Sequence, residues 1–562
     1  MAPPEGMRII IVGGGLAGLM MGIMLDHAGI DYHILEQASR LRPLGTSISL
    51  HPVIRDLMEQ LGLLEEMEAL SKPMRGITVL SAKGRRMGRI DTRTNKRRHG
   101  HQAMVMSRPD LHEFLRSKIS PERLTTGKRV IDITETPSEV TVTCMDETTY
   151  VGHLVIGADG AYSAVRQIMY KQLQERGLLP EVDKKPLHFD KQCVVGMTAP
   201  LDPARYPVLL DEQCEVKVLL GKDQHTSMWF LPLQGNRIAW CVGGPDPHQL
   251  LQSTDDSASQ SSHGSGSHNS GSRGSHHSGS GHGRDWYPET IVEICEDVRN
   301  FKCPYGGSVM DLIEATPKGM VSKVLLEEKM YRTWYHGRIV LVGDSCHKIV
   351  PFFGQGASQA ILDCACLTNL FFDLRSTDTE SFLPLFQQYV DTRMETSKIA
   401  SDSSREFADL IYDQGFKADI ARKIVLRYTP SWLLRMITGT IHTDRPFLKF
   451  LRPPTKKVYP NEQKQQDQKQ SNQQLKQLKQ QQSLQSLQLP SLQRLKLQPS
   501  MLSLQDLKQQ QSMQSLNEWK QQRPTMLSLE EWKHYQQQQH SMQQLRQQLS
   551  VPQLDHPLHR HP

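Results

Sequence analysis

The amino-acid sequence predicts an α/β fold: a parallel sheet interleaved with an antiparallel one, then C-terminal helices and a low-complexity tail. Three observations predict it. An apolar run, Arg8-Ile9-Ile10-Ile11-Val12, leads through a glycine loop into a helix-like segment. Two later segments, beginning at Leu154 and Arg338, again place glycine and a carboxylate at the end of an apolar strand. Between those two, the pattern changes to short alternating strands joined by a hairpin turn.

The first element is a short apolar run, as a buried parallel strand requires. Gly13-Gly14-Gly15-Leu16-Ala17-Gly18 follows, and Leu19 to Ala28 has helical character. Gly13 permits a tight turn, Gly15 lets a pyrophosphate approach the backbone, and Gly18 lets helix and strand pack closely. Phosphates would sit on the free N–H groups at the helix start, where the dipole favours anions. A second strand, Asp31-Tyr32-His33-Ile34-Leu35, ends at Glu36, a carboxylate at the spacing expected for hydrogen bonds from an adenosine ribose. This is a Rossmann-like unit. The loop alone leaves NAD and FAD equally open.

The later motifs bear on that choice. Leu154-Val155-Ile156-Gly157-Ala158-Asp159-Gly160 forms a strand and turn, with a helix to follow. Arg338-Ile339-Val340-Leu341-Val342-Gly343-Asp344-Ser345-Cys346-His347 does the same, and Gly354-Gln355-Gly356-Ala357 opens the next helix, to about Leu374. Open α/β sheets bind ligands at the carboxyl ends of their strands. In order and spacing these three motifs resemble those of the single-component flavoprotein monooxygenases with the p-hydroxybenzoate hydroxylase fold. The likeness spans roughly residues 7–450. It is nearest to fungal enzymes of the paxilline-type epoxidase and salicylate-hydroxylase-like groups, through Gly343-Asp344-Ser345-Cys346-His347-Lys348 and Gly354-Gln355-Gly356-Ala357.

The resemblance implies FAD as cofactor, with NAD(P)H as a transient co-substrate. Gly13, Gly15, Leu16, Ala17 and Gly18 would cradle the FAD phosphates, and Glu36 would face the ribose. Asp344 would accept a hydrogen bond from a ribityl hydroxyl, and Arg108, in Ser107-Arg108-Pro109, would face the ribityl-phosphate side. Asp159 would support both the pyrophosphate region and the nicotinamide site. Gly45 resembles the loop near the isoalloxazine, while Pro351, Gly354, Gly356 and Ala357 would approach the ring. A helix beginning near Gly356 would aim N–H groups at the negative charge of a reduced flavin. His347, just past the turn, is expected to shape it rather than act as a base. No catalytic side chain is assigned, because the flavin carries the chemistry.

The family likeness divides the chain into a discontinuous Rossmann-like FAD-binding domain, 7–180 and 320–375, and an antiparallel-sheet substrate domain, 181–319. A C-terminal helical region, 376–454, and a Gln-rich tail, 455–562, complete it. Within the substrate domain, Ser227 to Leu233 and Arg237 to Gly243 flank Gln234-Gly235-Asn236, a hairpin signal. Trp229 and Trp240 either line a ligand cavity or serve as sheet aromatics. Residues 252–284 are almost all Ser, Gly, His, Asp and Gln; they bury too little apolar area to offset chain entropy and read as a disordered insertion. The basic cluster Lys83, Arg85, Arg86, Arg89, Arg93, Lys96, Arg97 and Arg98 reads as a solvated hairpin face.

Composition excludes several classes. The net charge of +6 arises in the tail, where fourteen Lys/Arg exceed seven Asp/Glu; the rest is near neutral and gives no sign of nucleic-acid binding. Nine scattered cysteines suit a reducing, cytoplasmic setting and form no zinc-site spacing. The start lacks a signal-peptide core, and no run is long enough for a transmembrane helix. Ser431 to Leu451 is the one candidate for peripheral membrane contact, interrupted by Arg435, Asp444 and Arg445. The tail repeats a Ser-Leu-x-acid pattern from Ser503, Ser515 and Ser528, which is a helix-start signature and a candidate protein-binding feature.

The activity implied by the resemblance is monooxygenation. NAD(P)H reduces FAD, O₂ adds at flavin C4a, and one oxygen atom passes to a small hydrophobic organic substrate by aromatic hydroxylation or isoprenoid epoxidation. A reductase or halogenase of the same fold is an alternative, although the halogenase Gly-Trp-x-Trp-x-Ile-Pro segment does not occur. A flavin-bound scaffold acting through the tail is an alternative of another class.

Overall fold

The computed structural model describes residues 3–40, 45–92, 101–187, 191–221, 226–245, 295–296, 298–351, 354–412 and 447–453. The insertion 252–284, the tail 455–562, most of the segment Ser431 to Leu451, and Arg93, Lys96, Arg97 and Arg98 lie outside the described residues.

A six-stranded sheet forms the cofactor side. Strand β1 (Arg8–Val12) lies between β2 (Asp31–Glu36) and β11 (Leu154–Gly157), parallel to both. β7 (Leu124–Thr126) extends it beyond β2, and β19 (Ile339–Leu341) beyond β11, both parallel. β18 (Tyr335–His336) closes the far edge antiparallel. Ile9 to Val12 and Leu154 to Gly157 are buried at every position, the mark of a sheet covered on both faces. Helix α1 (Leu16–Ala28) covers it and ends at Gly29 in the left-handed conformation. The three strands expected to carry motifs thus lie side by side, as β19-β11-β1.

The second body is a nine-stranded sheet. Its path runs β16 (Val321–Leu325), β12 (Lys191–Met197), β15 (Arg237–Pro245), β14 (Ser227–Leu233), β13 (Cys214–Leu220), β4 (Ser71–Leu80), β6 (Met104–Ser107) and β3 (Ser47–Leu50), with β5 (Arg86–Asp91) on β4. The expected hairpin forms in register, from Ser227 opposite Gly243 to Leu233 opposite Arg237. Its turn works because Gly235 and Asn236 both adopt positive φ. The strands of residues 47–107 pair into this large sheet, where β4 lies parallel to β13, a partner more than a hundred residues away.

Side-chain alternation gives this sheet two different faces. Met228, Phe230, Ile238, Trp240 and Val242 point to one side and pack against Tyr206, Tyr305, Val309 and Leu312. Trp229, Leu231, Ala239, Cys241, Cys193 and Val195 point to the other, which meets Leu326, Val350, Phe407 and Tyr412. Two longer helices complete the described fold. Helix α2 (Gln355–Phe372) packs on α1, and α3 (Thr379–Tyr412) packs on α2 and reaches the large sheet.

Candidate active site

The glycine loop meets the second motif directly. Gly13 sits at φ +109°, and a side chain there would collide with the backbone of Ala158 and Asp159. Only glycine fits this conformation and this approach. At Gly15, by contrast, a Cβ would point into open space, with no atom within 4 Å. Leu16 and Ala17, opening α1, are half-buried beside it. Glu36 is drawn onto the loop itself: Gly14 N–H donates to Oε2 at 2.7 Å and Ala38 N–H to Oε1 at 2.8 Å. His112 Nε2 lies 2.8 Å from the Gly14 carbonyl, a contact with no local sequence signal.

Asp159 is poised between two tasks. Its Oδ2 accepts the Val165 N–H at 3.1 Å, at the start of the helix Ala164–Glu175, while Oδ1 is buried with no hydrogen-bond partner among the described residues. Burial raises its carboxyl, against the hydrogen bonds from Ser163 and that helix start. A buried, unsatisfied carboxylate oxygen is costly and marks a place where a ligand donor is wanted.

The third motif completes the cleft. Asp344 follows β19 and pairs with Lys348, Nζ to Oδ2 at 2.6 Å. A Cβ at Gly356 would stand 3.8 Å from Asp344 Oδ1, so the carboxylate faces the start of α2. The Asp344 charge is the main influence raising Lys348, and it offsets the desolvation that lowers Arg108. The Arg108 side chain lies against Gly45, whose φ is +94°; a Cβ at Gly45 would be 2.9 Å from Arg108 Cδ. Gly354 has φ +64° and would drive any side chain into the Ser49 carbonyl. Pro351 is exposed, and Gly356 and Ala357 are half-buried. Phe352 and Phe353 lie outside the described residues.

Arg166 ties the second motif to the third. Its guanidinium donates to the Ser345 carbonyl and to the Ala161 carbonyl, each at 2.7 Å, and lies 4.3 Å over the Tyr331 ring. The sequence shows Arg166 but not these partners. His347 is fully buried against Trp334 and bonded to Asp363, away from any open surface. The two tryptophans left open by the sequence separate here. Trp240 is buried on the closed face and donates to Thr316 Oγ1 at 2.8 Å, whereas Trp229 is half-buried on the face that meets Val350.

This arrangement fits FAD: an open cradle at Gly15, an orphaned acceptor on Asp159, and Arg108 with Asp344 beyond it. A flavoprotein of the dinucleotide-binding α/β type is what such a cleft defines. The family model described as FAD binding domain matches residues 7–194 and 309–397. The FAD-dependent monooxygenase atmM of Aspergillus flavus is 26% identical over 475 residues, 81% of this chain and 89% of the relative. The FAD-dependent monooxygenase ausM of Penicillium brasilianum is 28% identical over 464 residues, covering 80% and 89%. Among solved structures, Klebsiella pneumoniae HpxO complexed with FAD and uric acid superposes with a TM-score of 0.59 over 78% of this chain and 96% of that one, at 20% identity. That likeness is one of fold. The chain belongs to the FAD-dependent monooxygenase family and is an oxidoreductase that uses FAD.

Proposed function

We propose that the enzyme transfers one oxygen atom from O₂ to a small hydrophobic organic substrate, by aromatic hydroxylation or isoprenoid epoxidation, at the expense of NAD(P)H. The observation that carries this reading is the apolar sheet face of Trp229, Leu231, Val195 and Cys241, which shares its packing with Val350, next to Pro351 of the cofactor loop. An apolar wall beside a redox cofactor suits a substrate with little charge and excludes water.

When bound, FAD supplies the redox chemistry: it takes up hydride equivalents and activates O₂. The chain's own groups bind and orient it. N–H groups at the start of α1 would hold the pyrophosphate, beside the open space at Gly15. Asp159 Oδ1 would accept a hydrogen bond there, Arg108 would face the ribityl-phosphate side, and Asp344 would accept from the ribityl chain. Gly45, Pro351, Gly354, Gly356 and Ala357 would border the ring, with the amino end of α2 aimed toward its developing negative charge. Glu36 would reach the ribose while still holding Gly14.

The enzyme is read as cytoplasmic. None of the nine cysteines forms a disulfide, and among the described residues no helix is long and apolar enough to cross a membrane. The test is a substrate screen that scores stimulated NADPH oxidation, with mass spectrometry for the gain of one oxygen atom. Product formation that continues without O₂ would sink the monooxygenase reading in favour of a reductase.

A further inference from the structure

Beneath the cofactor turn lies a buried polar cluster that binding and substrate contact leave unused: His347, Asp363 and Arg393, all essentially without solvent exposure. Asp363 is its hub. Oδ2 accepts the Gly343 N–H at 3.0 Å and lies 2.6 Å from His347 Nε2. Oδ1 accepts Arg393 Nε at 2.8 Å. Arg393 in turn reaches the Gln359 carbonyl and Thr396. Burial alone would raise the Asp363 carboxyl, but His347 and Arg393 hold it below the usual carboxylate range.

The cluster includes Cys346, whose sulfur lies within 4.8 Å of the His347 and Asp363 ligand atoms, a spacing that a metal ion could bridge. The guanidinium on Oδ1 argues against it: a cation placed there would face Arg393 at close range and would have to displace it. The geometry suits another task. Gly343 begins the turn that presents Asp344, and it stands at φ +61° against Ala360 of α2. Its N–H is fixed by a carboxylate carried on that same helix, twenty residues on. A hydrogen bond to an ionised acceptor is about twice as strong as a neutral one. Arg393 keeps that acceptor ionised in a site where a lone carboxylate would be too costly to bury.

We propose that Asp363, held by Arg393 and His347, is the positioning residue of the Gly343–Asp344 turn and thereby sets how tightly the chain holds FAD. It touches no substrate and rests only on FAD binding at this turn, so it stands whether or not the substrate reading above survives.

The test measures the FAD dissociation constant by flavin fluorescence on the full chain, beside the thermal stability and far-ultraviolet dichroism of the apoprotein. Asp363→Asn is isosteric but loses the charge. The pair Asp363→Leu with Arg393→Leu removes both charges together, which buried ion pairs tolerate in stability. Both are expected to weaken FAD binding by about tenfold or more, the loss of one charge-assisted bond to the turn, while the apoprotein folds. Arg393→Lys keeps a cation on Asp363 and is expected to stay within about threefold of wild type. Folded variants that bind FAD as wild type does would overturn the proposal. So would failure of both Asp363 variants to fold, which would make Asp363 a folding residue instead.

Discussion

The cofactor side and the large sheet are built on opposite plans. On the cofactor side the chain returns repeatedly to one edge, where glycine turns meet three carboxylates: Glu36 and Asp159 accept from backbone N–H groups, and Asp344 pairs with Lys348. In the large sheet the pairing is mostly antiparallel, and the groups that matter are side chains selected by which face they point to. The first plan tolerates almost no change at a few atoms; the second spreads its tolerance over many.

The largest expected effect tests the first plan. Gly15→Val places its side chain in the open cradle, so the chain should fold with unchanged apoprotein stability and lose FAD affinity by on the order of a hundredfold. Gly13→Val should lose both, since strain at positive φ costs about 1–3 kcal/mol before its clash with Ala158 is counted. Flavin absorbance per chain and apoprotein melting separate the two. If Gly15→Val binds FAD normally, the cradle is elsewhere.

The second plan is tested by its tryptophans. Trp240→Ala empties a fully buried site on the closed face and should cost about 3–5 kcal/mol, with FAD affinity unchanged in the protein that remains folded. Trp229→Ala, half-buried on the face toward the cofactor loop, should cost about 1–2 kcal/mol and act mainly on the KM of the substrate found by screening. Equal effects of the two on KM would erase the distinction between the faces.

These contrasts explain what could be foreseen. The placement of the glycine loop, Asp159 and Asp344 at the ends of neighbouring strands was legible because turn, carboxylate and strand end are adjacent in sequence. The hairpin at Gln234-Gly235-Asn236 was legible for the same reason. Arg166 was visible as a residue but not as a link, since its partner Ser345 lies 179 positions away. The pairing of β4 with β13 was not legible, because no local pattern reports that these two strands will lie side by side. Asp363 did leave a trace: a carboxylate in the otherwise apolar stretch Ala360-Ile361-Leu362-Asp363-Cys364-Ala365. A buried charge must be paired, so that position announced a partner without naming Arg393.

A smaller effect is expected at Lys348. Its side chain and that of Asp344 are about a quarter and a third exposed, and solvent screens such a pair to about 1 kcal/mol or less. Lys348→Met should therefore weaken FAD binding by up to about fivefold, and Lys348→Arg should restore most of it. A hundredfold loss would show that Lys348 contacts the cofactor itself rather than steadying Asp344.

The smallest effect runs the other way and concerns Asp159. Burial raises its carboxyl, so the folded apoprotein holds this proton more tightly than the unfolded chain does. The group's contribution to stability therefore falls as pH rises from the unfolded carboxylate value, about 3.9, through the higher folded one. Asp159→Asn removes that slope. Its apoprotein should be about 1 kcal/mol more stable than wild type at neutral pH, with the difference shrinking and then vanishing as pH is lowered through the window. FAD affinity should fall in the same variant, because Oδ1 is the acceptor left without a partner among the described residues. A site that is less stable empty and tighter when filled is what a binding carboxylate held for its ligand should give. Melting curves of both apoproteins across pH, beside one FAD titration, decide it: a variant less stable than wild type at neutral pH would show that Asp159 serves the fold through its bond to Val165 and not the cofactor.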